Sequence, residues 1–199
     1  MDEFAENEAS LNQISLLETS LFQRLFKTQF QTMPKPWQIF HTAIGHHEFE
    51  GEAEVIRGKN IILQALATLL RLPPTSKVPV KLVIEKQGLG ESWARYFGKS
   101  YFSTVLYLDE KNETAEDGFY LRERFGPLCF GIVLTVEDKT VVWSIDRWWF
   151  FHIPLPKFFA PRSKTKEFID NEGRYAFDID LSVPILGRLI NYRGWLNVE

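Results

Sequence analysis

From about residue 46 onward the chain alternates apolar and polar side chains in short runs broken by glycine or charged turns, and a period of two marks a strand with one buried face. Phe49, Gly51, Ala53 and Val55 alternate with Glu48, Glu50, Glu52 and Glu54, which turns four carboxylates toward water. Four acids in a row repel one another unless a cation lies among them, so a solvated strand face accounts for them better than a metal site. Val78, Val80, Leu82 and Ile84 repeat the pattern, as do Phe102, Leu106 and Leu108, then Leu128, Phe130, Ile132, Leu134 and Val136, then Tyr175, Phe177, Ile179 and Leu181. Gly88-Leu89-Gly90, Glu137-Asp138-Lys139 and Asn171-Glu172-Gly173 read as hairpin turns, and strands joined this tightly are antiparallel neighbours. Runs near 46–57, 78, 92, 101, 119, 128, 140, 164, 174 and 188 give about ten strands. A meander of that length closes most readily into a barrel or a strongly curved sheet, because an open one leaves long edges unpaired.

Helical spacing interrupts this pattern in two regions. Ile14, Leu17, Leu21 and Leu25, flanked by Phe22, Phe26 and Phe30, predict an amphipathic helix over about 11–31, with a capping box at Ser10 and Gln13 and a stop at Pro34 and Pro36. A short second helix over about Trp37–Ala43 follows. Ile62, Leu63, Leu66, Leu69 and Leu70 predict another, ended by Pro73-Pro74. The expected fold class is α+β: an N-terminal helix outside or across one end of a large curved, barrel-like antiparallel sheet of about 8–10 strands, with one helix inserted after the first strand. Residues 1–9 are expected to be a disordered acidic tail and residues 10–199 a single domain, since 199 residues at 45% hydrophobic suffice for one sizeable core.

Charge and cysteine content narrow the function. The net charge is −3 and the basic residues are scattered, so no electrostatic footprint for DNA or RNA is present. Cys129 stands alone, which excludes an intrachain disulfide and fits a reducing compartment. Met1 to Glu6 is acidic where a secretory signal is basic and then apolar, and no apolar run approaches the length of a membrane span. A cytoplasmic protein without a transmembrane segment is expected.

Most chemistry-bearing motifs are missing. Gly88-Leu89-Gly90 is followed by Trp93 where a dinucleotide fingerprint needs its third glycine, and there is no P-loop. Gly90-Glu91-Ser92-Trp93-Ala94 touches the nucleophile-elbow pattern, but lies between two strands rather than at a strand-to-helix turn. His46 and His47 point to opposite faces of one strand and cannot share a metal without distortion, and His41 and His152 lack ligand spacing. No metal and no cofactor are expected.

Two features carry the functional reading. Trp143 to Pro161 concentrates aromatics, including Trp148, Trp149, Phe150, Phe151, Phe158 and Phe159, followed by Arg162, Lys164 and Lys166. Such a segment fills a core, lines a portal or forms a hydrophobic docking surface, and core or portal is favoured because large exposed apolar patches are rare. By strand parity, Arg57, Arg95, Arg147 and Arg193, with Glu123, share faces with apolar neighbours. Facing a barrel interior, they would leave three positive charges unmatched, which suits an amphipathic anion. At strand ends they would reach solvent or pair with acids, as the cost of buried charge favours.

Phe49-Glu50-Gly51-Glu52-Ala53-Glu54-Val55-Ile56-Arg57-Gly58, Glu123-Arg124-Phe125-Gly126-Pro127-Leu128, Ile153-Pro154-Leu155-Pro156, Ala160-Pro161-Arg162-Ser163 and Tyr192-Arg193-Gly194-Trp195-Leu196 together resemble the bacterial domain-of-unknown-function 4166 family over about residues 20–196. The resemblance implies a domain that occurs alone or behind a saccharopine-dehydrogenase-like or short-chain-dehydrogenase-like nucleotide-binding domain. It brings no established catalytic residues.

The first functional expectation is a non-catalytic module binding an amphipathic anionic small molecule in a curved-sheet cavity, with Arg147, Arg193, Trp143, Trp149, Glu123 and Tyr192 as ligand-binding candidates. The alternative is an accessory domain that docks on a dehydrogenase-like partner through the aromatic 143–161 surface. An enzyme using Glu123 or Asp178 as acid or base beside Tyr192 is the weakest reading, since no paired geometry can be read from sequence.

Overall fold

The computed structural model describes residues 19–42, 44–108 and 119–198. The expected acidic tail over 1–9, the capping box at Ser10 and Gln13 and the polar loop 109–118 lie outside these residues.

The chain enters through α1 (Leu21–Phe26), a 3₁₀ turn (Lys27–Thr32) and α2 (Lys35–His41). Helix α1 starts at Ser20, which is extended at φ −68° and ψ 159°. The Ser20 hydroxyl accepts from the Gln23 amide at 3.1 Å and the Gln23 side chain accepts from the Ser20 amide at 3.0 Å. This reciprocal box fixes a helix start. A continuous helix over 11–31 is therefore corrected: Ser20, which repeats the Ser-x-x-Gln spacing of Ser10, is itself a helix start, and Lys27 at φ 50° ends the helix after six residues.

The strands follow as β1 (His46–Arg57), β2 (Ser76–Gln87), β3 (Gly90–Phe97), β4 (Ser100–Leu108), β5 (Phe119–Phe125), β6 (Leu128–Glu137) and β7 (Thr140–Phe150). Two-residue strands β8 (Ile153–Pro154) and β9 (Arg162–Ser163) precede β10 (Thr165–Ile169), β11 (Tyr175–Val183) and β12 (Gly187–Leu196). Helix α3 (Ile61–Leu69) is inserted between β1 and β2 and capped by the Asn60 side chain, which accepts from the Ile62 amide at 2.9 Å. The expected α+β class holds, with strands at all ten expected places. Successive strands β1 to β7 pair antiparallel, β12 pairs with both β11 and β1, and β10 joins β11 to β7. The ring β1–β7, β10, β11, β12 is thus a closed ten-stranded antiparallel barrel. Closure removes sheet edges altogether. Among the described residues no helix is long and apolar enough to cross a membrane.

The two ends of the barrel differ. Residues 19–42 sit across the end where β1 begins, and Phe22, Phe26, Trp37 and Phe40 are buried there. Phe22 lies 5.9 Å from both Trp93 of β3 and Trp143 of β7, Phe26 lies 4.2 Å from Phe119 of β5, and Phe40 lies 4.0 Å from Tyr175 of β11. This segment is an aromatic plug. The opposite end, the mouth, carries α3 and the connection 151–164 that holds β8 and β9.

β1 and β12 approach closely where Ala53 faces Gly194. A Cβ on Gly194 would lie 2.1 Å from the Glu52 carbonyl oxygen, a backbone atom that cannot swing aside. Gly194→Ala should therefore lower stability by about 1–3 kcal/mol, read in a thermal melt as a fall of about 2–4 °C per kcal/mol for a domain of this size.

Candidate functional site

Inward positions alternate along each strand, and together they wall a cavity of about 390 Å³ between the plug and the mouth. Its walls are mostly aromatic and aliphatic, with Phe97, Phe102, Phe130, Ile145, Phe177 and Leu82 among them. Leu66 of α3, Leu70 at its C-terminal cap, and Phe159 and Pro161 of the 151–164 connection line it from the mouth.

Few polar side chains enter this space, and two of them are charged partners. Arg95 of β3 and Glu123 of β5 approach to 3.6 Å, with 14% and 20% of their side chains exposed. That separation is an ion pair without a hydrogen bond. The Arg95 Nη1 donates to the Thr104 hydroxyl at 2.8 Å, and the guanidinium lies over Trp93 and Phe102 at 5.2 and 5.6 Å. Tyr192 is buried against the same group, and burial pushes its phenol up to about 12. The Trp143 ring is 6% exposed and lines the cavity, and its Nε1 has no hydrogen-bond partner among the described residues. Buried donors are nearly always paired, so this indole N–H is an exception within the barrel.

The floor of the cavity is built differently. Glu167 of β10 is 4% exposed and accepts from the Trp37 Nε1 at 3.0 Å, with the His41 Nε2 at 2.9 Å. Tyr175 is fully buried near this carboxylate, and burial holds its phenol well above the ordinary tyrosine range. Glu91 of β3 accepts from the Leu21 amide at 3.0 Å, at the first residue of α1, and from the Trp93 Nε1 at 3.0 Å. Burial raises the Glu91 carboxyl above its ordinary value. Two barrel carboxylates thus fasten the plug, one at each of its helices.

The structure divides the residues singled out by parity. Trp143, Glu123 and Tyr192 line the cavity, whereas Arg147, Arg193 and Trp149 do not. Arg147 shares the inward parity of Val141, Trp143 and Ile145 in the sequence, but the register slips between Gly131 and Ile132 so that Asp146 is an extra residue on β7. One extra residue reverses every later side chain. Trp148 therefore turns inward opposite Phe130, while Arg147, 56% exposed, faces out beside Asp146 at 3.3 Å. Trp149 follows it outward and stacks under the Arg122 guanidinium at 4.4 Å. On β12 the inward residue is Tyr192, so its neighbour Arg193 points outward and donates to Glu54 at 2.7 Å. Arg57 donates to the backbone carbonyls of Leu72 and Pro73. Of the four arginines only Arg95 enters the cavity, where Glu123 balances it. Asp178 lies opposite Arg193 and accepts from the Asn191 side chain at 2.7 Å, outside the barrel and away from any pairing with Tyr192.

The sequence model of the domain of unknown function 4166 matches residues 33–196. No curated protein and no solved structure matches the chain.

The raised Glu91 carboxyl sets a pH dependence. A folded-state value above the unfolded 4.5 gives a contribution that is present below that value and lost as pH rises through the raised one. Glu91→Gln, which cannot ionise, removes this loss. The melting temperature of the parent should therefore gain on that of Glu91→Gln as pH is lowered from about 8 to 5, and a difference independent of pH would show that Glu91 ionises normally.

Proposed function

Taking as premise that the chain belongs to the domain-of-unknown-function 4166 family, we propose that the barrel binds an elongated, mostly apolar small molecule whose polar head sits at Arg95, Glu123 and Trp143. The observation that carries this reading is the cavity itself: about 390 Å³ of apolar-walled space, with a balanced ion pair inside it and Trp143, whose indole N–H is unpaired, among its lining residues. Volumes of ~300–1,000 Å³ with a few placed polar groups are the usual form of a small-ligand site.

The charge balance bears on the head group. Unmatched arginines would favour an anion, but a carboxylate entering here must compete with Glu123 for Arg95. A neutral head that accepts from Arg95 and donates to Glu123, such as a hydroxyl or an amide, uses both partners. The Arg95 Nη2 is 3.6 Å from Glu123, which leaves hydrogen-bonding capacity for such a group. The reading requires no catalysis.

A nitrobenzoxadiazole-labelled long-chain alcohol should bind with a rise in fluorescence, and the carboxylate of the same chain should bind at least about ten-fold more weakly, a difference of ~1.4 kcal/mol. Replacing the pair together, Arg95→Met with Glu123→Leu, exchanges it for apolar groups of similar size, which is often neutral or stabilising. That variant should remain folded and lose the preference between the two probes. Ile179→Trp, which fills the lumen, should abolish binding of both. No binding to the parent, or undiminished binding to Ile179→Trp, would sink the proposal.

A further inference from the structure

The mouth of the barrel is unlike the rest of the surface in two independent ways. Large apolar side chains more than half exposed number eight among the described residues, and all eight lie on connections at this end. Ile61, Ile62 and Leu69 are 80%, 60% and 79% exposed on α3, Ile185 is 99% exposed between β11 and β12, and the others belong to the 151–164 connection, where Phe158 is 70% exposed. Helix α3 buries Leu63 and Ala67, presents Leu66 and Leu70 to the cavity and turns isoleucine and leucine to solvent, with only Gln64 and Thr68 as polar residues. A helix that is apolar all round belongs in a buried or membrane setting. Ile185 sharpens the point, since a β-branched residue at φ 69° is strained and here gains nothing from burial.

The second feature is charge. The mouth connections, residues 58–75, 98–99, 126–127, 151–164 and 184–186, carry Lys59, Arg71, Lys99, Lys157, Arg162 and Lys164, and no aspartate or glutamate. All six cations are exposed. Lys157 reaches Asp146, and the other five have no carboxylate within ion-pair distance among the described residues. The connections attached at the plugged end have the opposite character, with Asp138, Asp170 and Glu172 against Lys139 in the turns and five acids against one lysine in the sequence of 109–118. The chain has a net charge of −3, so the cationic mouth is a polarity of the fold and not a reflection of overall composition.

We propose that the mouth is a docking surface for an anionic lipid bilayer, with α3, the 151–164 connection and the Ile185 turn entering the headgroup region and the six cations facing lipid phosphates. Exposed apolar side chains beside unpaired cations are the combination that holds a protein at an anionic interface. The occupant must match a surface that is apolar and cationic at once, and an anionic bilayer does so without any specific pocket. Because the inner side of α3 lines the cavity, docking would bring the bilayer within about one helix diameter, ~10 Å, of the lumen. The surface stands on its own observations, whatever the cavity holds.

The test is sedimentation with vesicles of phosphatidylcholine alone and of phosphatidylcholine mixed with phosphatidylglycerol. The parent should sediment with the mixed vesicles and much less with phosphatidylcholine alone, and raising the salt from ~0.05 to ~0.5 M should release it. The triple variant Leu69→Ser, Phe158→Ser, Ile185→Ser should lose at least about ten-fold in partitioning. Lys59→Ala and Arg162→Ala should each lose about five-fold, the equivalent of ~1 kcal/mol per cation near an anionic surface. These side chains are exposed, so melting temperatures and binding of the alcohol probe in vesicle-free solution should stay at parental values. That control separates a failure of docking from a failure of the cavity reading. Absence of parental sedimentation, equal sedimentation with both vesicles, or undiminished partitioning of the variants would overturn the proposal. So would a parental dimer, or a complex with a dehydrogenase-like protein, that the triple variant disrupts while the parent ignores vesicles.

Discussion

Ten strands in a closed barrel enclose more space than their own inward side chains can fill. Eight are about the number at which the interior is just occupied by side chains or holds one small ligand. The remaining features of this molecule follow from the surplus. Residues 19–42 supply bulk that the strands lack, in the form of five large buried aromatic side chains at one end. Helix α3 covers the other end, and the cavity is what the two leave between them.

A plug of chain inside a barrel brings polar groups of backbone and side chain with it, and these must be satisfied where water does not reach. Glu91 and Glu167 meet this requirement. One takes the amide at the start of α1, the other the side chains of α2, and each accepts from more than one donor. A buried carboxylate with several donors is tolerable, whereas one without them is among the costliest groups a core can hold. The same logic operates higher in the lumen, where Arg95 is held by Thr104, Glu123 and two aromatic faces.

The strands were legible in the sequence because most of them alternate and end in a turn that leaves little choice of neighbour. Their closure was legible from edge cost alone. What escaped was anything that depends on an odd residue. Asp146 adds one position to β7 and sends Arg147 outward and Trp148 inward, and nothing in Ser144-Ile145-Asp146-Arg147-Trp148 marks which residue is the extra one. On β12, apolar residues occupy both parities, and the face is decided by pairing with β1, where outward Glu54 meets Arg193. An acid on the solvated stripe of β1 was the available signal for that arginine, once the two strands are known to pair. Glu91 was accessible from parity, since it lies two residues before Trp93 and four before Arg95 on the same face. Glu167 was not, because its role depends on a tryptophan 130 positions away.

That separation has a consequence for how the molecule assembles. The ladder between β7 and β10 spans only Thr165 to Glu167, three positions against ten between β1 and β2. It is also the seam that shuts the ring. Glu167 sits in this seam and in the grip of Trp37 and His41, so the shortest ladder of the ring is clasped from within by the first part of the described chain. Contacts between distant parts of a chain form slowly, because the loop between them must be closed first. Ring closure and the seating of the plug are therefore coupled through Glu167, since one side chain serves both the seam and the plug.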